Sequence, residues 1–196
     1  MPLQFILSSL PLFPEEYHQL GRLNVKQREQ LLENSELILG VCPGPDKDVI
    51  VISGDGGMQM NIQEMATAVC YELPITICIL NNGYLGNVRQ WQEMFFNKRY
   101  SSTCMRYRRS CPNSCNSPND DCPEYTPDFI RLAESYGARG IRVTSEKEIA
   151  AALEMARDTS KVPTVIEFII DREENVLPIV PPGNALDHMI LESEEN

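Results

Sequence analysis

From about residue 46 the chain alternates between short apolar runs and segments whose apolar residues recur every three or four positions. Val49 to Ser53 (VIVIS) is continuous and β-branched, which suits a strand covered on both faces. Ile62, Met65, Ala66, Val69 and Cys70 then fall at i, i+3, i+4, i+7 and i+8, the stripe of an amphipathic helix. PITICILNN predicts a second buried strand, and Val88, Trp91 and Phe95 a looser helical stripe. Thr126 followed by Pro127 reads as an N-cap and a first-turn proline. The helix they open carries Phe129, Leu132, Ala133 and Tyr136, and Gly137 can end it. GIRV is a third strand. Ser145 to Glu148 reads as a capping box for a helix with Ile149, Ala152, Leu153 and Ala156 on one face. PTVIEFII is a fourth strand. Strands alternating with helices imply right-handed crossovers. The expected class is therefore α/β, an open, mainly parallel sheet with helices on both faces. Ligands of such folds bind outside the carboxyl ends of the strands.

Residues 1 to about 45 follow a different pattern. They hold one candidate helix, from Asn24 to Leu37, with weak periodicity, and a Pro-Gly-Pro turn precedes the first strand. The expected organisation is a divergent segment over 1–45 and one ligand-binding domain over 46–196. That domain carries a Cys-rich insertion at 101–125 and a tail at 172–196.

With 196 residues, 42% of them hydrophobic, the composition is globular and sufficient for a buried core. The net charge of −11 argues against nucleic acid, which needs clustered Lys and Arg, and Arg106 to Arg109 is too short a basic run to offset it. No apolar run is long enough to cross a bilayer, and the apolar start lacks the basic n-region of a signal peptide. The expectation is a cytoplasmic protein without membrane partners, its seven cysteines reduced.

The chemistry concentrates where strands turn into helices. The first strand ends in Gly54-Asp55-Gly56-Gly57. Glycines let a backbone approach a ligand closely, and a helix start suits phosphate oxygens. A carboxylate there is out of place beside a bare anion, but fits if a divalent cation lies between; Mg²⁺ takes one or two protein oxygens plus substrate phosphates. A plain Gly-rich turn with Asp as N-cap is the alternative. The second strand ends in Asn81-Asn82-Gly83-Tyr84, and an Asn oxygen is a neutral ligand suited to Mg²⁺. Turn chemistry alone would also explain Asn-Asn-Gly. The pair, each at the end of a β-rich run, is more specific than either part.

Gly54-Asp55-Gly56 followed some two dozen residues later by Asn81-Asn82 resembles the signature of thiamine-diphosphate enzymes. NNGYLGNVRQWQEMF and the tail EENVLPIVPPGNALDHMI resemble the catalytic subunits of the acetolactate synthase (acetohydroxyacid synthase) family. The likeness covers about Asp46 to Leu191, the C-terminal cofactor-binding domain of that family, and not residues 1 to about 45. It implies the thiamine-diphosphate-binding fold. It also implies condensation of two 2-keto acids with loss of carbon dioxide, in branched-chain amino acid biosynthesis. By resemblance, Asp55, the Asn82 side chain and the Tyr84 carbonyl bind Mg²⁺. Gly54, Gly56, Gly57 and Met58 hold the diphosphate, and Leu85, Gly86 and Asn87 lie along the thiamine. Trp91 shapes the pocket for the second keto acid, and Val180 to Gly183 belongs to a tail that closes over the site. From the residues alone, Trp91 is equally an aromatic on the core face of a helix.

The same resemblance implies pyruvate and 2-ketobutyrate as substrates, and as partners a homo-oligomer or a companion pyrimidine-binding domain. The family's activating glutamate lies in a separate domain. Glu64 and Glu93 read instead as helical surface, so no catalytic residue is assigned here. The expectation is that the chain alone is inactive or nearly so, as a fragment, a truncated product or half of a split enzyme. Cys104, Cys111, Cys115 and Cys122, spaced x6, x3 and x6, are candidate Zn²⁺ or iron–sulfur ligands, against a loop of reduced thiols. Cys70 and Cys78 read as small core residues, and His18 and His188 as surface residues. Two other functions compete: decarboxylation of another 2-keto acid with the same cofactor, and a non-catalytic assembly domain.

Overall fold

In the computed structural model, residues 49–111, 122, 127–157 and 162–191 are described. The candidate helix from Asn24 to Leu37, His18 and Cys115 lie outside them. The chain divides into two compact units, Met1–Asn82 with Pro127–Ile170, and Gly83–Thr126 with Asp171–Asn196.

In the first unit, β1 (Val49–Gly54) is followed by α1 (Asp55–Met60), α2 (Glu64–Cys70) and β2 (Ile75–Asn81). After the excursion to the second unit come α4 (Phe129–Tyr136), β3 (Arg139–Val143), α5 (Glu146–Arg157) and β4 (Thr164–Ile169). The described strands form one parallel sheet in the order β1-β2-β4-β3. All four apolar runs are strands, within a residue or two of the expected bounds. β2 and β4, the central pair, are almost wholly buried, as continuous apolar runs require. β1 is an edge strand and falls short of the expected two-sided burial, because Ile52 is exposed.

Alternating residues send two apolar clusters to opposite faces. Val51, Ile75, Ile77, Ile79 and Val165 meet Met58, Met65 and Ala68 of α1 and α2 and Phe129 and Ala133 of α4. Cys78, Ile166, Phe168 and Val143 meet Ile149, Ala152 and Ala156 of α5. Helices therefore cover both faces, as expected. Burial pushes the Cys78 thiol up to about 12, so it remains a protonated, small apolar residue.

The stripe expected from Ile62 to Cys70 holds at Ile62, Met65 and Val69, which pack into the core, and is corrected at its other two positions. Asn61 to Gln63 break the helix, α2 begins only at Glu64, and the buried positions are Met65 and Ala68. Ala66 and Cys70 are exposed. The cap of α4 is also corrected. Asp128, not Thr126, is the N-cap, its Oδ1 accepting the Arg131 N–H at 3.2 Å. Gly137 ends that helix at φ 87°, as expected. The capping box of α5 forms, with Glu148 Oε2 accepting the Ser145 N–H at 3.0 Å.

Burial pushes the Asp128 carboxyl up, but the Arg131 N–H and the Arg142 guanidinium outweigh it and hold the carboxyl below the ordinary aspartate value of 3.8. Its contribution is thus present above the unfolded value and lost as pH falls through the lower folded one. The side chain is 39% exposed, so solvent screens the Arg142 pair and the cap bond is the larger part. Asp128→Ala should cost about 1 kcal/mol at pH 7 in urea unfolding. Its difference from the unaltered chain should shrink steadily below about pH 4.

Candidate functional site

The turn after β1 has Gly54 as N-cap of α1 in an extended conformation, and Asp55 as the first helical residue. Asp55 is 2% exposed, so a carboxylate is enclosed at the carboxyl end of the sheet. A Cβ built on Gly54 meets nothing within 4 Å. Met58 packs its side chain into the core, so its contribution to a ligand would come from the main chain. The helix α1 has six residues and no basic residue in its last turn. So short a dipole beside a buried acid is a poor site for a bare anion.

The register fixes the relation of Asp55 to the second turn. β1 and β2 pair in parallel up to Gly54↔Leu80. The next residue after Gly54 is Asp55, which opens α1, and the next after Leu80 is Asn81, which ends β2, so Asp55 and Asn82 leave the carboxyl ends of neighbouring strands about 5 Å apart. Asn82 is half-buried. The donor set on this edge, a carboxylate and a carboxamide, is one a hard divalent cation takes, and Mg²⁺ held by them would accept diphosphate oxygens in its remaining positions. These residues therefore fit the group that the sequence implies.

Asn81 faces away from solvent into a polar network that periodicity did not reveal. Its Nδ2 donates to Glu167 Oε1 at 2.7 Å, and its carbonyl accepts the Ile170 N–H at 3.0 Å. Glu167 is 2% exposed, and its Oε2 accepts from Arg142 Nε at 2.7 Å. Arg142 Nη2 reaches Asp128 Oδ1 at 2.8 Å. The hydrogen bond to Glu167 is the main reason the Arg142 guanidinium holds its proton still more tightly than usual. The sequence signal was one charge inside an apolar run, Thr-Val-Ile-Glu-Phe-Ile.

In the second unit, Gly83–Leu85 pairs antiparallel with Thr103–Met105 through Leu85 N–H to Thr103 O at 2.9 Å and Met105 N–H to Gly83 O at 3.0 Å. These bonds flank Tyr84, whose carbonyl points away from the ladder. The Tyr84 side chain is buried, and burial, with Cys104 beside it, pushes the phenol up to about 12. Gly83 sits at φ 74°, and a Cβ there would meet Arg106 Nε at 2.9 Å.

Helix α3 (Gly86–Phe95) follows. Leu85, Asn87, Val88 and Trp91 are exposed and Gly86 is half-buried. The core-face alternative for Trp91 is therefore corrected, and the buried face carries Arg89 and Gln90 instead of the expected stripe. The Arg89 guanidinium lies 4.6 Å from the Tyr84 ring centre and 3.9 Å from that of Tyr100, and pairs with Glu173 at 2.6 Å. Burial works against the Glu173 carboxylate, but Arg89 and Arg172 outweigh it and hold its carboxyl below the ordinary range. Gln90 grips the main chain of Val176 twice, donating at 2.9 Å and accepting at 3.1 Å, and Asn175 donates to Glu93 at 3.2 Å. These contacts fasten the start of the tail to α3. Beyond them Ile179 pairs with Ile190, and 182–189, which include Gly183 and His188, are exposed.

Glu64 is half-buried, bonded by Thr67. Of the four-cysteine set, Cys104, Cys111 and Cys122 are half-buried, and Cys111 Sγ accepts the Arg108 N–H at 3.3 Å. No group of three or more His, Cys, Asp or Glu able to hold a metal occurs among the described residues. None of their helices is long and apolar enough to cross a membrane.

Comparison with known proteins places this geometry in context. Residues 37–168 match the family model described as thiamine pyrophosphate enzyme, C-terminal TPP binding domain. The acetolactate synthase large subunit of Corynebacterium glutamicum is 41% identical over 148 residues, 75% of this chain and 21% of that protein. The acetolactate synthase isozyme 3 large subunit of Escherichia coli is 37% identical over 155 residues, 77% of this chain and 24% of that protein. The chain thus spans between about a fifth and a quarter of the length of these relatives. Among solved structures, a thiamine diphosphate-dependent 4-hydroxybenzoylformate decarboxylase from Rhodococcus jostii superposes with a TM-score of 0.50 at 27% identity. It covers 67% of this chain and 21% of its own.

Proposed function

The chain belongs to the thiamine pyrophosphate enzyme family through its C-terminal TPP binding domain, and from that premise we propose that it serves as the cofactor-binding domain of an acetolactate synthase. The proposed activity is condensation of two 2-keto acids, pyruvate with pyruvate or 2-ketobutyrate, with loss of carbon dioxide, as a cytoplasmic step of branched-chain amino acid synthesis. Bound thiamine diphosphate would supply the electron sink for that decarboxylation and carbon–carbon bond formation. In this reading Asp55 and Asn82 hold Mg²⁺, and Gly54, Gly56 and Gly57 leave main chain open to the diphosphate. The placement of Asp55 and Asn82 at the carboxyl ends of adjacent parallel strands carries the reading. Identities of 37–41% to acetolactate synthase large subunits support the choice of reaction.

Calorimetric titration tests it. The chain should bind thiamine diphosphate only when Mg²⁺ is present. No binding at millimolar cofactor would favour an assembly role instead. As the 196-residue polypeptide it should form little or no acetolactate from pyruvate, because in this reading the activating glutamate comes from a companion pyrimidine-binding domain. The solved decarboxylase favours a second reading, in which the same site serves decarboxylation alone. When the remaining domains are supplied, acetolactate as product supports the first reading and an aldehyde the second.

A further inference from the structure

We propose that Glu167 is a positioning residue for the cation site: its buried carboxylate locks Asn81, so that Asn82 leaves β2 in a fixed direction. This rests on the reading of Asp55 and Asn82 as Mg²⁺ ligands. Glu167 lies on the face of β4 that Val165 shares, the face covered by α1, α2 and α4. Burying a carboxylate in such a layer is costly, and apolar residues of similar volume are often as stable or more so. An apolar residue there could not hold the Asn81 amide.

The register explains how one side chain reaches both neighbours. Arg142 of β3 is directly opposite Glu167, and so is Ile79 of β2. Asn81 is two residues beyond Ile79, on the same face and within diagonal reach. Each Glu167 oxygen therefore takes a separate donor, Asn81 Nδ2 at 2.7 Å and Arg142 Nε at 2.7 Å. A carboxylate only accepts, so the Asn81 amide must present its nitrogen, and its orientation is set. The Asn81 carbonyl is meanwhile taken by Ile170 N–H. Asn81 is thus fastened to β4 by side chain and main chain, one residue before Asn82. The two asparagines would divide the work: the first anchors the turn and the second would hold the ion. Arg142 and Asp128 extend the anchor to the cap of α4.

The test compares the full chain with Asn81→Ala and Glu167→Gln. Asn81→Ala leaves Glu167 paired with Arg142, which keeps the buried charge compensated. Two quantities are read: the Mg²⁺ concentration that half-saturates binding at fixed, saturating thiamine diphosphate, and amide hydrogen exchange without either ligand. Each variant should need about tenfold or more Mg²⁺, the range seen when groups that orient metal ligands are removed. Exchange should quicken over Asn81–Gly83 and stay unchanged over α5, on the opposite face of the sheet. The double variant should be no weaker than the weaker single one. An unaltered Mg²⁺ midpoint in both variants overturns the proposal. So does faster exchange throughout α5 with an unaltered midpoint, which would make Glu167 an ordinary stabilising ion pair. If the unaltered chain binds no thiamine diphosphate at any Mg²⁺ concentration, the cofactor reading falls together with this proposal. Failure of the variants alone to respond removes only the role of Glu167.

Discussion

Replacement of Asp55 by alanine should weaken Mg²⁺-dependent thiamine diphosphate binding by about a hundredfold or more, while the fold survives. Removing groups that merely orient a metal ligand costs roughly 10–100-fold, and a carboxylate ligand lost outright should cost at least the upper end of that. In the proposed reading the charge would also let a cation sit beside a diphosphate at this strand end. Asp55→Asn, which keeps one oxygen and loses the charge, should fall between the two. Because Asp55 is the first residue of α1 and alanine is a good helix former, the helix should still start there. Thermal unfolding without ligands should remain cooperative. Calorimetry in Mg²⁺ and thermal melts of the ligand-free variant together check this. Unimpaired binding by Asp55→Ala would remove the cation from this strand end.

The largest expected loss of stability comes from one methyl group. Gly140 on β3 lies so close to α4 that a Cβ there would stand 2.6 Å from Ile130 Cγ2 and 3.1 Å from both the Cα and the carbonyl oxygen of Ile130. A rotamer change can relieve the first contact but not the backbone ones. Gly140→Ala should therefore cost about 2–3 kcal/mol, toward the upper end for overpacking. In urea the midpoint should fall with an unchanged slope. Adding Ile130→Ala should rescue only part of the loss, because the helix backbone remains in the way. Full rescue would mean that the side chain, not the approach of the helix, fixes the spacing.

Strands were the most legible part of the sequence, because four β-branched runs can be buried in few ways. Helix faces were less so. Counting from Ile62 gave Ile62, Met65 and Val69 correctly but Ala66 and Cys70 wrongly, since the break at Asn61 to Gln63 resets the turn before the helix begins. At α4 two cap-forming residues compete, and Asp128, immediately before the first apolar position, wins over Thr126. On α3 the inward residues are Arg89 and Gln90, which apolar periodicity cannot count. They are inside because aromatic rings, Glu173 and the tail's main chain satisfy them. The strand-end positions of Asp55 and Asn82 were legible, since motif and strand boundary coincide. The Glu167 network was not, because its members are brought together by the sheet and not by spacing along the chain.

The central pair of the sheet joins chain segments that are remote from each other, Thr76 beside Thr164. β1 and β2 can zip together early, but the neighbour that completes β2 arrives only after Gly83–Thr126 of the second unit, α4, β3 and α5 have been synthesised. Loop-closure entropy must be met before that contact returns anything, so this topology should refold slowly for its size. During the wait the apolar edge of β2 is uncovered, so refolding yield should fall as protein concentration rises, through aggregation at that edge.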